Sequence, residues 1–133
     1  MQTHILVVDD DPDIIEMITL VLESRDYKVT TAKDGVEALE KLKAEKPNLM
    51  ILDLLMPRMD GFNVCKELQD ARWSKFRDMP IIILTSVREE ASRRRYELET
   101  GLQLNVDDYV EKPVSPETLI ERVEMNLKKN KKA

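Results

Sequence analysis

The 133-residue chain has a single cysteine, Cys65, and a single histidine, His4. One cysteine excludes an intrachain disulfide, and the two residues together cannot supply the Cys and His ligands of a structural zinc site. The longest apolar runs contain four residues, whereas a membrane-spanning helix needs about 20. Residues 1–4 include no Lys or Arg, so we expect no signal peptide. What is left is the class of ordinary globular chains, and the length suits one domain.

Positively charged residues are outnumbered: the chain has 21 Lys and Arg residues and 26 Asp and Glu residues, so its net charge is −5. A nucleic-acid-binding domain usually carries a basic patch or stripe, so this balance argues against direct binding to nucleic acid. One basic stretch lies at the end of the chain, at Lys128–Lys132, where we expect a solvated tail. A second basic run, Arg93–Arg95, is expected to form a solvated helix face.

Short apolar runs do occur, and they alternate with amphipathic segments along the chain. Runs without polar interruption predict strands that are buried on both faces of a sheet. The five predicted strands cover residues 5–8, 27–31, 49–52, 81–84 and 106–111. The five predicted helices begin near Pro12, Gly35, Phe62, Val87 and Pro116. Strict alternation of strands and helices predicts an α/β fold, in which a doubly wound parallel sheet carries helices on both faces.

Polar side chains follow four of the predicted strands at the points where the strands end. Three aspartates, Asp9–Asp11, follow the first strand, and Asp53 follows the third. Thr85 and Ser86 follow the fourth strand, and Lys112 follows the fifth. Sites in doubly wound sheets form at the carboxyl ends of strands, so we expect these side chains to converge. The third aspartate of the triplet is expected to act as the cap of the next helix.

Converging carboxylates repel one another unless one is protonated or a cation lies between them. With no histidine or thiolate nearby, the ligands would all be oxygen atoms, which suits Mg²⁺, Mn²⁺ or Ca²⁺. An open rim with few protein ligands favours Mg²⁺, which often binds alongside phosphate. A carboxylate can also act as a nucleophile toward phosphorus, and Lys112 could stabilise an anionic group. The residues therefore favour phosphate chemistry beside a bound Mg²⁺ ion.

These residues belong to four motifs that together resemble the receiver domain of two-component response regulators. The motifs are ILVVDD at residues 5–10, DLLMPRMDG at 53–61, ILTS at 83–86 and YVEKP at 109–113. The resemblance extends over residues 3 to 128 and implies a flavodoxin-like fold with strand order 2-1-3-4-5. We accordingly expect a receiver domain over residues 1–128 and a disordered lysine-rich tail over residues 129–133.

The resemblance also implies which residues hold the metal and the phosphoryl group. Asp53 matches the residue that accepts the phosphoryl group. Asp10 and Asp53 match the carboxylates that ligate Mg²⁺ directly, while Asp9 matches one that acts mostly through water. The backbone carbonyl of Leu55 matches a further metal ligand.

Three other positions match residues that respond to the phosphoryl group in such domains. Lys112 matches the lysine that pairs with it, and Thr85 matches the hydroxyl that bonds to it and moves on activation. Tyr109 matches the aromatic residue that turns inward when this hydroxyl moves. Pro113 matches a proline that usually follows a cis peptide bond.

The function implied by the resemblance is that of a phosphoacceptor signalling domain. Such a domain catalyses only its own phosphorylation and dephosphorylation, so we do not expect an enzyme that acts on other substrates. The implied partners are a sensor histidine kinase or a phosphotransfer protein. A homodimer through the fourth helix, fifth strand and fifth helix is also implied. We expect a cytoplasmic location, no membrane contact and no direct binding to nucleic acid.

The chain departs from the family pattern at two places. The stretch from Thr85 to Lys112 is longer than in most receivers, and residues 101–105 replace the usual Gly-Ala before the fifth strand. Leu55 occupies a position where many relatives carry a polar side chain, and Val87 lies two residues after Thr85. Apolar side chains there could hinder the water that hydrolyses the acyl phosphate. We therefore predict a comparatively long-lived phosphorylated state.

Two other functions remain alternatives from the sequence. A metal-dependent phosphatase of the haloacid dehalogenase type would use Asp9 as its nucleophile, because Asp9-x-Asp11 after a buried strand imitates the motif of that family. No cap domain fits in this length, and Pro12 follows the motif directly. A small DNA-binding protein with a basic tail is disfavoured by the net charge of −5.

Overall fold

The computed structural model describes residues 2–101 and 104–131. Its strands are β1 (His4–Val8), β2 (Lys28–Ala32), β3 (Leu49–Asp53), β4 (Ile81–Thr85) and β5 (Asp108–Glu111). Its α-helices are α1 (Pro12–Glu23), α2 (Gly35–Glu45), α3 (Gly61–Glu67), α4 (Val87–Thr100) and α5 (Pro116–Lys131). A short 3₁₀ helix, Ala71–Phe76, precedes β4. Strands and helices alternate as the sequence predicts.

The five strands form one parallel sheet in the order β2-β1-β3-β4-β5. This confirms the predicted α/β fold and its strand order. Every residue of β1, β3 and β4 is buried, because these three strands lie inside the sheet and helices cover both of its faces. Their uninterrupted apolar runs follow from that position.

Alternate residues along each strand contribute to two separate apolar cores. Leu6, Val8, Met50, Leu52 and Ile83 lie in the core that also contains buried residues of α2 and α3. The second core lies on the other face of the sheet. It combines strand residues with buried residues of α1 and α5, and its buried strand members are Ile5, Val7, Leu49, Ile51, Ile82, Leu84 and Val110.

Side-chain caps set where most of the helices begin at the carboxyl edge of the sheet. The side chains of Asp11, Asp34, Asp60 and Ser86 accept backbone N–H groups at the starts of α1, α2, α3 and α4. A cap satisfies N–H groups that lack a partner within the helix. Gly101 ends α4 in the left-handed conformation, with φ 70°. The helix starts expected from the sequence are therefore explained by local hydrogen bonds.

Three details differ from the sequence-based expectations. β5 begins at Asp108 rather than at residue 106, and Asp107 Oδ1 accepts the Ile81 N–H at 2.9 Å just before it. Trp73 lies in the short 3₁₀ helix rather than in a loop, and it is buried as expected for a packing residue. Helix α5 continues to Lys131, into the segment 129–133 that we expected to be disordered.

Residues 132 and 133 of that segment lie outside the described residues, as do residues 102 and 103 of the replaced stretch before β5. The side chain of Val87 is likewise outside the described part of the chain. Within the described ranges, none of the helices combines the length and the apolar character needed to cross a membrane.

Candidate functional site

The site lies at the carboxyl edge of the sheet, where the neighbouring strands β1 and β3 end. Asp9 follows β1, Asp53 is the last residue of β3, and both are 1% exposed. Asp10 is exposed beside them. Carboxylate oxygens of Asp9, Asp10 and Asp53 lie within 4.8 Å of one another. The structure therefore brings together the three aspartates that were predicted to converge.

Lys112 reaches this cluster from the end of β5. Its backbone N–H donates to the carbonyl of Thr85 at 2.6 Å, and the Lys112–Pro113 peptide bond is cis. Its Nζ lies 3.2 Å from Asp9 Oδ2 and donates a hydrogen bond to Asp53 Oδ1 at 3.3 Å. One ammonium group thus lies against two buried carboxylates from other strands.

Burial and mutual repulsion dominate the electrostatics of the cluster. Burial, followed by the negative charge of Asp9, raises the pKa of Asp53 to about 7, and Lys112 opposes this shift. Burial also raises the pKa of Asp9, although the Asp11 N–H and Lys112 act in the other direction. Burial alone would lower the pKa of Lys112, but Asp53 and Asp9 outweigh it and the pKa is raised. The cluster is therefore short of positive charge.

The residues present fit a hard divalent cation. Asp9 Oδ2 is buried and accepts no hydrogen bond from the described residues, so its contact with Lys112 is an ion pair only. A buried oxygen without a hydrogen bond is costly unless another positive group approaches it. All of the candidate donors are oxygen atoms, which suits Mg²⁺. Leu55 is half-buried beside the site, and the use of its backbone carbonyl as a ligand stays a prediction.

Thr85 and Tyr109 lie on the adjacent strands β4 and β5. Thr85 is 5% exposed at the end of β4, and its register partner on β5 is Glu111, which precedes Lys112. Tyr109 is 36% exposed. The guanidinium carbon of Arg93 lies 5.3 Å from the centre of its ring. Thr85 is therefore buried at the same edge of the sheet as the aspartates, while the ring of Tyr109, the predicted aromatic switch, is partly exposed; the roles of both residues stay predictions.

The Arg93–Arg95 run is not uniformly solvated, which corrects the expectation from the sequence. Arg94 and Arg95 are exposed, but the side chain of Arg93 is only 23% exposed. Arg93 forms ion pairs with Glu90 and, at 3.3 Å, with Glu97. These partners lie one helical turn away on either side, and they hold the guanidinium over Tyr109.

Sequence reasoning did not identify Glu89, although it lies beside the site. Glu89 is 7% exposed, and its Oε1 lies 3.7 Å from Lys112 Nζ. A Ser followed three residues later by Glu, as in Ser86–Glu89, is a signal in the sequence, but it indicates a helix cap. The position of the carboxylate could not be inferred from that signal.

Comparison with known proteins gives consistent matches over nearly the whole chain. A family model described as the response regulator receiver domain matches residues 5–124. PhoP of Bacillus subtilis (strain 168), an alkaline phosphatase synthesis transcriptional regulatory protein, is 40% identical over 130 residues, covering 98% of this chain and 50% of that protein. Response regulator MprA of Mycobacterium ulcerans is 40% identical over 131 residues, covering 98% of this chain and 53% of that protein. The chain thus spans about half the length of these relatives.

Solved structures of similar fold cover almost the full length of both partners. A CheY-like response regulator receiver domain protein from Methanospirillum hungatei JF-1 superposes with a TM-score of 0.80 at 27% identity, covering 99% of this chain and 98% of that chain. The chemotaxis response regulator CheY4 of Vibrio cholerae has a TM-score of 0.77 at 29% identity, covering 95% of this chain and 99% of that chain.

Proposed function

Because the chain belongs to the response regulator receiver domain family, we propose that it accepts a phosphoryl group on Asp53. Lys112 approaches Asp9 and Asp53 about equally closely, so the choice of Asp53 rests on its place in the family motif, and one observation carries the site itself. Lys112 Nζ lies 3.3 Å from Asp53 Oδ1, at an edge where three aspartates have carboxylate oxygens within 4.8 Å of one another. A nucleophile, a charge for the phosphoryl oxygens and oxygen ligands for a metal are thus available at one point.

The donor is a phosphohistidine on a sensor histidine kinase or a phosphotransfer protein. A carboxylate oxygen of Asp53 attacks the phosphorus, and the phosphorus–nitrogen bond breaks as the new oxygen–phosphorus bond forms. The electron pair of the broken bond returns to the imidazole, which takes up a proton from solvent. The product is an acyl phosphate on Asp53. This is a modification of the chain itself, and we propose no other substrate.

The metal would be held by Asp9, Asp10 and Asp53, with the carbonyl of Leu55 as a further ligand. Bound there, Mg²⁺ would neutralise charge on the phosphoryl oxygens and orient them for in-line transfer. Asp9 already accepts the Asp11 N–H through its Oδ1 at 2.9 Å. That hydrogen bond orients the carboxylate and leaves Oδ2 for the metal or for a water molecule bound to it.

The acyl phosphate would bias the conformation of the chain through Lys112 and Thr85. It adds nearly two negative charges at one point. Hydrogen bonds from a lysine or hydroxyl to such a group are each worth about 1.5–3 kcal/mol, which is enough to shift a two-state equilibrium strongly. Movement of Thr85 toward the phosphoryl group would open space for the Tyr109 ring. Its inward turn would change the surface formed by α4, β5 and α5.

We propose that this surface then binds a partner or a second copy of the chain. By their names, MprA is a response regulator and PhoP is a transcriptional regulatory protein. For this chain, with its net charge of −5, we propose no direct contact with DNA. The cytoplasmic location stays a prediction.

The test is to locate the phosphoryl group after incubation with acetyl phosphate and Mg²⁺. Peptide mapping by mass spectrometry is expected to find it on Asp53, and Asp53→Asn is expected to abolish it. The matched control is Asp11→Asn, because Asn keeps the cap of α1 and should leave the modification intact. Removal of Mg²⁺ with EDTA is expected to prevent it. Phosphate on Asp9 instead would support the phosphatase alternative and contradict the proposal.

A further inference from the structure

The first turn of α4 places a fourth carboxylate beside Lys112. Glu89 is 7% exposed, and its Oε1 lies 3.7 Å from Lys112 Nζ. Its other oxygen, Oε2, is buried and accepts no hydrogen bond from the part of the chain that the structure describes. A buried carboxylate with one long ion pair and one unpartnered oxygen is incompletely compensated. The ion pair between Glu89 and Lys112 therefore holds the start of α4 against the edge that carries Asp53, and a stronger anion could displace Glu89 from Lys112.

Helix capping does not account for this position of the side chain. Ser86–Glu89 matches the capping-box pattern, in which the Glu side chain reaches back to the N–H of the Ser. One half of the box is present, because the Glu89 N–H donates to Ser86 Oγ at 3.4 Å. The other half is not formed, since the carboxylate faces Lys112 instead. The burial of Glu89 thus follows from the lysine and not from the cap.

Three carboxylates share the Lys112 ammonium group. Asp9 and Asp53 lie at 3.2 and 3.3 Å, and Glu89 lies farthest away at 3.7 Å. A phosphoryl group on Asp53 would add nearly two negative charges next to this ammonium. It would attract Lys112 more strongly than Glu89 does and would repel Glu89. A carboxylate left buried without its counter-charge is strongly disfavoured, so Glu89 would have to leave.

We propose that Glu89 is a positioning residue that competes with the phosphoryl group for Lys112 and so couples phosphorylation to the first turn of α4. This inference rests on the proposed phosphorylation of Asp53. In the unphosphorylated chain the Glu89–Lys112 pair holds the start of α4 against the site. Phosphorylation transfers Lys112 to the phosphoryl oxygens, and the release of Glu89 loosens the turn formed by residues 87–90.

Binding of beryllofluoride, a phosphoryl mimic that attaches to an aspartate carboxylate, measures the competition directly. Wild type, Glu89→Gln and Glu117→Gln are titrated with beryllofluoride in saturating Mg²⁺, and binding is followed by amide NMR. Glu117 is the matched control, because it is also an acidic residue in the first turn of a helix but is exposed and bonded to Ser115. We expect Glu89→Gln to bind about two- to five-fold more tightly than wild type, the effect of a single ion pair. The control is expected to bind as wild type does.

Hydrogen exchange separates this role from that of a simple cap. In wild type, beryllofluoride is expected to speed exchange of the backbone amides of residues 88–91. In Glu89→Gln these amides are expected to exchange fast already, with no further response. If Glu89 only caps α4, Gln keeps the cap, so the substitution would change neither the exchange of these amides, with or without beryllofluoride, nor the binding affinity. That result would overturn the inference.

A double-variant cycle adds a readout that does not depend on beryllofluoride. In thermal unfolding, Glu89→Gln is expected to stabilise the Lys112→Met protein, because it removes a buried charge that has lost its partner. It is not expected to stabilise the wild-type background. Equal shifts of the unfolding midpoint in both backgrounds would show that the pair contributes nothing, which contradicts the inference.

If the wild-type chain neither binds beryllofluoride nor is phosphorylated on Asp53, the proposed function fails and this inference with it. If wild type does both and Glu89→Gln matches it in affinity and exchange, only the inference fails.

Discussion

The backbone of Gly61 lies directly against that of Asp53. A Cβ atom at Gly61 would be 2.4 Å from the Asp53 carbonyl oxygen. The Gly61 N–H also donates to the Leu54 carbonyl at 2.9 Å. The start of α3 therefore packs directly against the end of β3 that carries Asp53, the proposed phosphoacceptor, and any side chain at Gly61 must displace that strand end.

Gly61→Ala is expected to impair both stability and phosphorylation. Forcing a methyl group into filled space typically costs about 1–3 kcal/mol, and the displaced atoms belong to Asp53 itself. We expect the free energy of unfolding, measured with urea, to fall by about that amount and phosphorylation by acetyl phosphate to slow markedly.

Gly101→Ala is the matched control for this substitution. Gly101 has φ +70°, and no atom of the described residues lies within 4 Å of the point that a Cβ atom would occupy. Ala there therefore strains the backbone by about 1 kcal/mol without a clash. It should lower stability but leave phosphorylation unchanged. A Gly61→Ala protein that is phosphorylated as fast as wild type would show that the contact does not position Asp53.

Asp53→Asn is expected to stabilise the Mg²⁺-free protein in a pH-dependent way. The pKa of Asp53 is raised from its ordinary 3.8 to about 7. The neutral Asp53 carboxyl is therefore favoured in the folded state. The stability that it contributes is fully present below pH 3.8 and is lost as the pH rises through about 7. At pH 8 we expect Asp53→Asn to raise the free energy of unfolding by about 1–2 kcal/mol. This is less than the full pKa shift of Asp53 would correspond to, because the substitution also removes an ion-pair partner of Lys112.

Urea unfolding in EDTA at several pH values checks this expectation. The advantage of Asp53→Asn should shrink as the pH falls from 8 to 4, since the wild-type carboxyl becomes neutral in the folded state. Mg²⁺ should reduce the advantage at pH 8, because the metal compensates the wild-type carboxylate. An advantage that grows toward acidic pH would have the wrong sign for a raised pKa.

His4 is expected to make the protein less stable under mildly acidic conditions. It is 7% exposed, and its Nε2 lies 2.6 Å from Thr30 Oγ1. Burial, reinforced by Lys28, lowers the pKa of His4 from its ordinary 6.5. The His4 ring therefore takes up a proton more readily in the unfolded chain than in the folded one. The stability contributed by neutral His4 is present above pH 6.5 and is lost as the pH falls below that value.

His4→Gln isolates this contribution, because the amide keeps a hydrogen-bonding group for Thr30 without titrating. Between pH 7.5 and pH 5.5 we expect wild type to lose roughly 0.5 kcal/mol more of its free energy of unfolding than the variant does. Asp53 titrates in both proteins, so it cancels in the comparison. Identical pH profiles would mean that His4 is protonated as readily in the folded chain as in the unfolded one.

Leu55 is expected to prolong the phosphorylated state by hindering the hydrolytic water. It is half-buried and packs against the core next to the site. Leu55→Asn supplies a polar side chain that can hydrogen-bond this water. We expect dephosphorylation to become about five- to ten-fold faster, which corresponds to an activation free energy lower by about 1 kcal/mol. Loss of radiolabelled phosphate over time measures the rate, with Leu68→Asn on the far end of α3 as the control. An unchanged rate in Leu55→Asn would contradict the idea.

Much of this architecture was accessible from local sequence pattern. Residues 5–8, 49–52 and 81–84 are uninterrupted apolar runs because the strands that contain them are covered on both faces. Asp11 could be recognised as a cap because a proline follows it. Polar residues placed directly after strands could be assigned to one edge, since parallel strands all end on the same side.

The sequence by itself thus determined the order of the elements, the fold class and the set of residues at the carboxyl edge of the sheet. Only the tertiary structure decided which atoms meet there. Lys112 and Asp53 are 59 positions apart, and their distance depends on how the neighbouring strands β3, β4 and β5 pair and twist. The positions of Glu89 and Arg93 on α4 follow from helical periodicity, but periodicity does not select a side-chain rotamer. Arg93 is held by Glu90 and Glu97 on its own helix. Lys112 and Tyr109, the neighbours that Glu89 and Arg93 meet, are brought near by the sheet and are not visible in the local pattern.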